Sequence, residues 1–128
     1  MRMLIDTHTF LWFVTNDSKL SDYALNLIEN DTNEVLLSTL NLWEIAIKFS
    51  IGKLILHQPF QEFIDEELQT NNIQLLSLEI SHIKKVADLP LHHRDPFDRM
   101  LIAQSVIEGL PIISADSVFD VYGVVRLW

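Results

Sequence analysis

Apolar residues along the chain recur in two kinds of segment, which alternate from one end to the other. Short apolar runs, such as the one that stops at Asp6, predict buried strands, and longer segments with apolar residues at helical spacing predict helices. The predicted strands are Met3–Asp6, Glu34–Ser38, Ile73–Leu78, Pro111–Ser114 and Val124–Trp128. The predicted helices are Thr7–Thr15, Ser21–Asn30, "TLNLWEIAIKFSIGK", Phe60–Thr70, Ser81–Leu89 and a long helix from Asp95-Pro96 to Gly109.

Residues at the boundaries of these elements support the division. Ser21 and Thr39 are predicted to cap the helices that they open, Pro59 stands where a first helical turn tolerates proline, and Gly52 ends the third helix. Strands that alternate with helices predict an α/β fold: a three-layer α/β/α sandwich with a mostly parallel sheet of about five strands. With no repeat, linker or low-complexity tract, residues 1–128 are predicted to form a single domain.

Most aromatic side chains are expected in the core, because they lie on predicted helices among other apolar residues. The third helix, which contains "LNLWEIAIKF", is apolar on nearly every side and is therefore predicted to be buried all round. The expected core aromatics are Phe10, Trp12, Phe13, Trp43 and Phe49. His92 and His93 are expected to form a solvated pair in the loop before the last long helix.

The composition limits the class of protein. Hydrophobic residues make up 48% and charged residues 21% of the chain, as in a globular domain with a core. The absence of cysteine excludes disulfides and thiolate metal sites and suits a reducing compartment, and no apolar stretch is long enough to span a bilayer. We therefore expect a soluble, cytoplasmic protein. Its formal charge of −9 argues against a broad nucleic-acid-binding face, so any such contact should be local or assisted by metal.

Four acidic residues fall on the edge of the predicted sheet where parallel strands end and ligands bind. Asp6 ends the first strand, Glu44 lies early in the helix after the second, and Asp116 follows the fourth. Asp98 lies in the first turn of the long helix. Crowded carboxylates repel one another, and proteins use such clusters mainly to hold hard divalent cations. Without cysteine ligands, the set favours Mg²⁺ or Mn²⁺ over Zn²⁺.

Each of these acids also has a purely structural explanation. Asp6 could cap the next helix, and Glu44 could form an ion pair with Lys48 one helical turn away. For Asp98 the alternative is a capping role beside Asp95, which is itself the more natural N-cap. Two acids could be ordinary turn residues: Asp116 and Asp120.

Four segments contain these acids in order: "LIDTHTFLWF", "STLNLWEIAIKFSIGKL", "LPLHHRDPFDRMLIAQS" and "PIISADSVFDVYGVVRLW". In them the chain resembles PIN-domain ribonucleases, specifically VapC-type toxins of toxin–antitoxin pairs. The resemblance covers essentially the whole chain. It implies a Mg²⁺- or Mn²⁺-dependent endoribonuclease that hydrolyses RNA phosphodiester bonds, is often a homodimer and is blocked by a cognate antitoxin protein.

The resemblance also assigns roles to residues. Asp6, Glu44 and Asp98 would hold the metal, Asp116 would be a more variable fourth acid, and Ser114 falls where the family often has a small hydroxyl residue. The pattern leaves open the roles of two nearby acids, Asp95 and Asp120. Candidates for binding RNA phosphates, each with surface ion pairing as the alternative, are Arg94, Arg99, Lys48 and Lys53.

Three other functions fit part of the pattern. A catalytically silent PIN fold could act only as a binding module, which would bind metal without cleaving RNA. A small-molecule phosphatase could use Asp6 as a nucleophile, but the second aspartate expected two residues later is His8. DNA is a less favoured substrate than RNA, because the related structure-specific DNA nucleases are larger than this chain.

Overall fold

The computed structural model describes residues 1–128 and contains one five-stranded sheet with helices on its faces. The strands are β1 (Arg2–Ile5), β2 (Glu34–Ser38), β3 (Gln74–Leu76), β4 (Ile112–Ile113) and β5 (Arg126–Leu127). The α-helices are α1 (Thr7–Val14), α2 (Asp22–Glu29), α3 (Thr39–Ser50), α4 (Phe60–Thr70), α5 (Ile80–Asp88) and α6 (Pro96–Glu108), and a 3₁₀ helix covers Ser117–Tyr122. No helix has both the length and the apolar character needed to cross a membrane.

The sheet has the strand order β3-β2-β1-β4-β5, and every neighbouring pair is parallel. The predicted α/β sandwich with five parallel strands is therefore confirmed. Successive residues of β1 point to opposite faces. On one face, Met3 and Ile5 belong to a cluster of 13 buried residues that includes Phe10 of α1. On the other, Leu4 belongs to a cluster of 7 that includes Leu101 of α6. Burial of each such side chain stabilises the fold by about 1.5–3 kcal/mol.

Helix boundaries follow the predicted caps with one exception. The Ser21 hydroxyl accepts a hydrogen bond from Ala24 N, as predicted. The predicted cap at Thr39 is wrong, because Ser38 is the extended residue whose hydroxyl accepts from Leu40 N, and Thr39 is already helical. The structure adds a 3₁₀ helix that the sequence did not predict, and it shortens β3, β4 and β5, where only a few residues pair with a neighbouring strand.

The prediction that α3 is buried all round is wrong. Only Asn41 and Ile45 of this helix are buried, and the side chains of Trp43 and Phe49 are 59% and 36% exposed. The helix packs against α1, α6 and β2, which leaves part of its apolar surface facing outward. Of the aromatic residues expected in the core, Phe10 is fully buried, and two more are partly buried against it: Trp12 and Phe13.

Candidate functional site

The strand order places the carboxyl ends of β1 and β4 side by side. The chain runs from β1 to β2 and β3 on one side and then crosses back to β4 on the other side of β1, so the strand order reverses between β1 and β4. This is the switch point, where open α/β sheets bind ligands. Asp6 directly follows β1, and Ser114 directly follows β4. The local fold thus brings together two polar residues that are separated by 108 positions in the sequence.

Asp6 is only 7% exposed, and both of its carboxylate oxygens accept hydrogen bonds. Oδ1 accepts from Thr9 N at 2.8 Å, so Asp6 is the N-cap of α1. Oδ2 accepts from the hydroxyl of Ser114, whose oxygen in turn accepts from Asp116 N at 3.0 Å. The capping explanation of Asp6 is therefore confirmed, and its role as a metal ligand stays a prediction.

Glu44 extends from α3 toward the start of α1. Its Oε1 accepts a 2.6 Å hydrogen bond from the hydroxyl of Thr7, the residue after Asp6. Its Oε2 lies 3.4 Å from Lys48 Nζ, so the ion pair considered from the sequence is present. The side chain of Glu44 is 17% exposed, which leaves it accessible at the edge of the site.

Asn41, one turn before Glu44 on α3, completes this part of the site. Its Nδ2 donates to Thr7 Oγ1 at 2.9 Å. Its Oδ1 is buried and accepts no hydrogen bond. A buried acceptor without a donor is destabilising, and the amide that contains this oxygen is linked to Glu44 through Thr7.

Asp98 lies in the first turn of α6 with its side chain 27% exposed. Its pKa is raised to about 6, first by burial and then by the negative charge of Asp95, with a smaller contribution in the same direction from Asp116. A hydrogen bond and the charge of His93 act in the opposite direction. Asp98 and Asp116, which come from α6 and from the end of β4, are thus close enough to repel each other.

His93, expected as a solvated loop residue, instead makes contacts through both ring nitrogens. Its Nε2 lies 3.3 Å from Asp98 Oδ2, and its Nδ1 lies 2.7 Å from the hydroxyl of Tyr122. That hydroxyl oxygen already accepts hydrogen bonds from His93 N and from Arg99 Nη1, so its own proton is directed to His93 Nδ1. In this neutral form Nε2 carries the ring proton and donates a hydrogen bond to Asp98 Oδ2, as it also does in the charged imidazolium, so His93 orients this carboxylate in both forms.

The other candidate residues have defined places. Asp95 is the N-cap of α6 and accepts from Phe97 N and Asp98 N, as expected. Asp116 caps the 3₁₀ helix through Val118 N. Asp120 accepts two 3.0 Å hydrogen bonds from Arg126, which lower its pKa. Asp120 is therefore engaged in a surface ion pair.

The four basic candidates differ in their freedom to bind an anion. Arg99 donates to Tyr122 and to the carbonyl oxygens of residues 86, 89 and 90, so its guanidinium is held within the protein. Lys48 is paired with Glu44. Arg94 and Lys53 are exposed and make no ion pair.

The donor set fits a hard divalent cation. No three acidic or histidine side chains converge tightly enough in this structure to form a complete metal-binding group. Mg²⁺, however, takes only one or two carboxylates and completes its octahedron with water and substrate phosphate, so it does not need such a group. The acids at this edge, the unpartnered Asn41 Oδ1 and the raised pKa of Asp98 are all features that a cation would compensate.

Sequence reasoning missed three contributors to this arrangement. Thr7 and Asn41 could have been found, since one follows Asp6 directly and the other precedes Glu44 by three residues, which is helical spacing. Tyr122 had no such signal, because its position depends on the 3₁₀ helix that the sequence did not reveal.

Comparison with known protein families identifies the family of this chain. The sequence matches the PIN domain family over residues 3–125, and the chain therefore belongs to that family. A comparison with functionally curated proteins gave no significant match.

Similar solved structures share the fold over nearly their whole length. VapBC2 from Rickettsia felis, bound to a DNA fragment from their promoter, is similar with a TM-score of 0.73 and 14% identity, covering 99% of this chain and 98% of the other. FitAcB from Neisseria gonorrhoeae has a TM-score of 0.69 and 14% identity, covering 100% and 97%. FitAB bound to the IR36 DNA fragment has a TM-score of 0.67 and 12% identity, covering 99% and 94%.

Proposed function

We propose that this PIN domain is a Mg²⁺- or Mn²⁺-dependent endoribonuclease and the toxin of a toxin–antitoxin pair. One observation carries the proposal: each of three acids at one edge of the sheet has its own orienting donor. Ser114 orients Asp6, Thr7 orients Glu44 and His93 orients Asp98. Outer partners that fix the direction of a carboxylate are characteristic of metal sites.

The residues divide the chemistry among them. Asp6, Glu44 and Asp98 would hold the cation, with Asp116 as a fourth acid beside Asp98. A bound cation would activate a water molecule for attack on the scissile phosphate and would neutralise charge on the phosphate oxygens. Ser114, Thr7 and His93 each hold one carboxylate in a defined orientation, and Asp6 is only 7% exposed.

The proposed partners follow from the family and from the surface. The similar structures VapBC2 and FitAB support an antitoxin protein as the partner that blocks the site. A homodimer is supported by exposed apolar side chains on α5, Ile80 and Ile83. With no cysteine and cellular RNA as the substrate, the protein would act in the cytoplasm.

The test is cleavage of total RNA, structured RNA and single-stranded DNA by purified protein freed of antitoxin. We expect fragments from RNA with Mg²⁺ or Mn²⁺ and none with chelator. Asp6→Asn should lower the rate more than about a hundredfold, because outer partners of metal ligands alone are worth about 10–100-fold. Asp65→Asn, an exposed change on α4, is the matched control and should cleave like the wild type.

Each contrary result has a distinct meaning. Cleavage that survives both the chelator and Asp6→Asn would reject the proposed site. Folded protein that binds Mn²⁺ without cutting any RNA would favour the catalytically silent binding module. Capture of a phosphoaspartate on Asp6 would favour the phosphatase, although the two hydrogen bonds on this carboxylate suit a fixed ligand better than a nucleophile.

A further inference from the structure

An apolar pocket of about 390 Å³ lies where α3 faces the start of α6. Its walls are mainly apolar, and two arginines lie among them. We call it the Trp43 pocket, and the residues that matter here are Trp43, Pro96, Phe97, Met100, Arg94 and Arg99. None of them is among the four acids of the candidate metal site.

Trp43 is an unusual residue to leave open to solvent. Its side chain is 59% exposed, although a tryptophan in a domain of this size usually packs into the core. It contacts Phe97 edge to face, with ring centroids 5.7 Å apart and an interplanar angle of 68°. This contact fixes the indole in place and leaves the rest of its surface available, as in a stacking platform.

Two residues of the pocket are chain neighbours of acids in the candidate metal site. Trp43 directly precedes Glu44 on α3, and Phe97 directly precedes Asp98 on α6. Consecutive residues of a helix point about 100° apart, so the aromatic pair and the two acids face neighbouring but different directions. A molecule in the pocket would therefore lie beside a phosphate bound at the acids.

Charge distinguishes among the occupants that an apolar pocket could take. Arg94 lies at the pocket, is exposed and makes no ion pair, in a chain whose formal charge is −9. Arg99 is held in the wall by Tyr122 and by backbone carbonyls, so this side of the pocket is already formed. An aromatic surface beside a free guanidinium complements a nucleotide, which offers a flat base and a negative phosphate together.

We propose that the Trp43 pocket binds one nucleobase of single-stranded RNA next to the cleaved phosphate. The base stacks on Trp43, and Arg94 contacts a phosphate of the same or the next nucleotide. This inference rests on the proposed nuclease function and adds to it a subsite that would select where the RNA is cut. Unpaired RNA is the expected substrate, because bases must leave their stack to enter a pocket.

The test measures RNA binding separately from cleavage. In an Asp6→Asn background, the affinity for labelled single-stranded RNA oligonucleotides is measured by fluorescence polarisation at several salt concentrations. We expect Trp43→Leu to weaken binding about 5- to 100-fold and Trp43→Phe to retain most of it, since phenylalanine still stacks. Arg94→Gln should reduce the slope of log affinity against log salt concentration by about 1, as expected for the loss of one phosphate contact. Phe49→Leu, an aromatic change farther along α3, should bind RNA normally.

Two outcomes would overturn the inference alone. Wild-type RNA affinity in Trp43→Leu would show that the pocket does not hold a base. A change in oligomeric state on sedimentation, with RNA affinity unchanged, would make the pocket a contact between two copies of the chain. If the unsubstituted protein neither binds nor cleaves RNA, the proposed function fails and the base pocket fails with it.

Discussion

Asp6 and Asp98 are candidate ligands of the same cation, but the protein surrounds them differently. Asp6 directly follows β1, and each of its oxygens accepts a hydrogen bond, one from Thr9 N and one from Ser114 Oγ. Asp98 lies in the first turn of α6 with one side-chain partner, His93, and its pKa is raised to about 6 by burial and then by acidic neighbours. One carboxylate has a hydrogen-bond donor for each oxygen, and the other is disfavoured as an anion by burial and by like charge.

The difference shows how such a site can be both folded and ready for a cation. The carboxylate at the sheet end is fixed by the fold itself, since its donors belong to α1 and to the end of β4. The carboxylate at the helix start is unfavourable when ionised, so a bound cation would relieve it. Asp98 would then contribute to metal affinity at the expense of stability in the metal-free protein.

The contrast predicts that the same substitution, aspartate to asparagine, has opposite effects on the free energy of unfolding at positions 6 and 98. Asp6→Asn replaces an acceptor with an amide N–H that faces the Ser114 hydroxyl and should destabilise the fold by about 1–2 kcal/mol. Asp98→Asn removes a repelled charge and should stabilise the metal-free protein at pH 8 by about 1–2 kcal/mol. A pKa change from 3.8 to about 6 corresponds to about 3 kcal/mol, which we reduce because the side chain is partly solvated.

The effect at Asp98 should depend on pH in one direction. Because the pKa of Asp98 is higher in the folded than in the unfolded protein, the folded state keeps a proton that the unfolded state loses as pH rises from about 4 to above 6. Stability of the wild type should therefore fall relative to Asp98→Asn across this window, and the two should converge near pH 4. Urea unfolding with chelator at pH 4, 6 and 8 measures this, with Asp65→Asn as the control. A constant difference at all three pH values would contradict it.

Those parts of the fold and site that depend on repeating patterns could be predicted from the sequence. The position of Asp6 at the carboxyl end of β1 was predictable, because an apolar run stops there. Asp95 was predicted as an N-cap from its position before a proline. The exposure of Trp43 was not predictable, because an apolar helix pattern does not reveal which neighbours cover each face. The bond from His93 to Tyr122 joins residues 29 positions apart through a 3₁₀ helix without periodic signal.

A further prediction concerns His93, the one side chain that donates a hydrogen bond to the Asp98 carboxylate. His93→Ala should weaken Mn²⁺ binding about 10–100-fold, because it removes the group that orients the carboxylate. His93→Gln places an amide N–H near the position of Nε2 and should recover part of the affinity, whereas His93→Asn resembles Nδ1 and should recover less. Calorimetric titration with Mn²⁺ measures the order of the three variants. Equal loss in all three would mean that His93 acts only by packing.

Glu44 extends the comparison, because it has one partner inside the protein, a hydroxyl, and one partner near the surface, an ammonium group. The hydroxyl of Thr7 reaches it at 2.6 Å from within the protein, and Lys48 approaches it at 3.4 Å from the surface. Thr7→Val keeps the shape but removes the hydroxyl, and it also leaves Asn41 Nδ2 without an acceptor. We expect a loss of about 1–2 kcal/mol in the free energy of unfolding. Thr7→Ser, which keeps the hydroxyl, is the matched control and should lose less.

Lys48→Met should have the smallest effect of the series, less than about 0.5 kcal/mol, because partly exposed ion pairs one helical turn apart contribute little. Raising the salt concentration should reduce even this difference, since the pair reaches solvent. Urea unfolding of Thr7→Val and Lys48→Met, side by side at low and high salt, makes the comparison direct. A loss in Lys48→Met as large as in Thr7→Val would mean that the ion pair, and not the buried hydroxyl, holds Glu44 at the site.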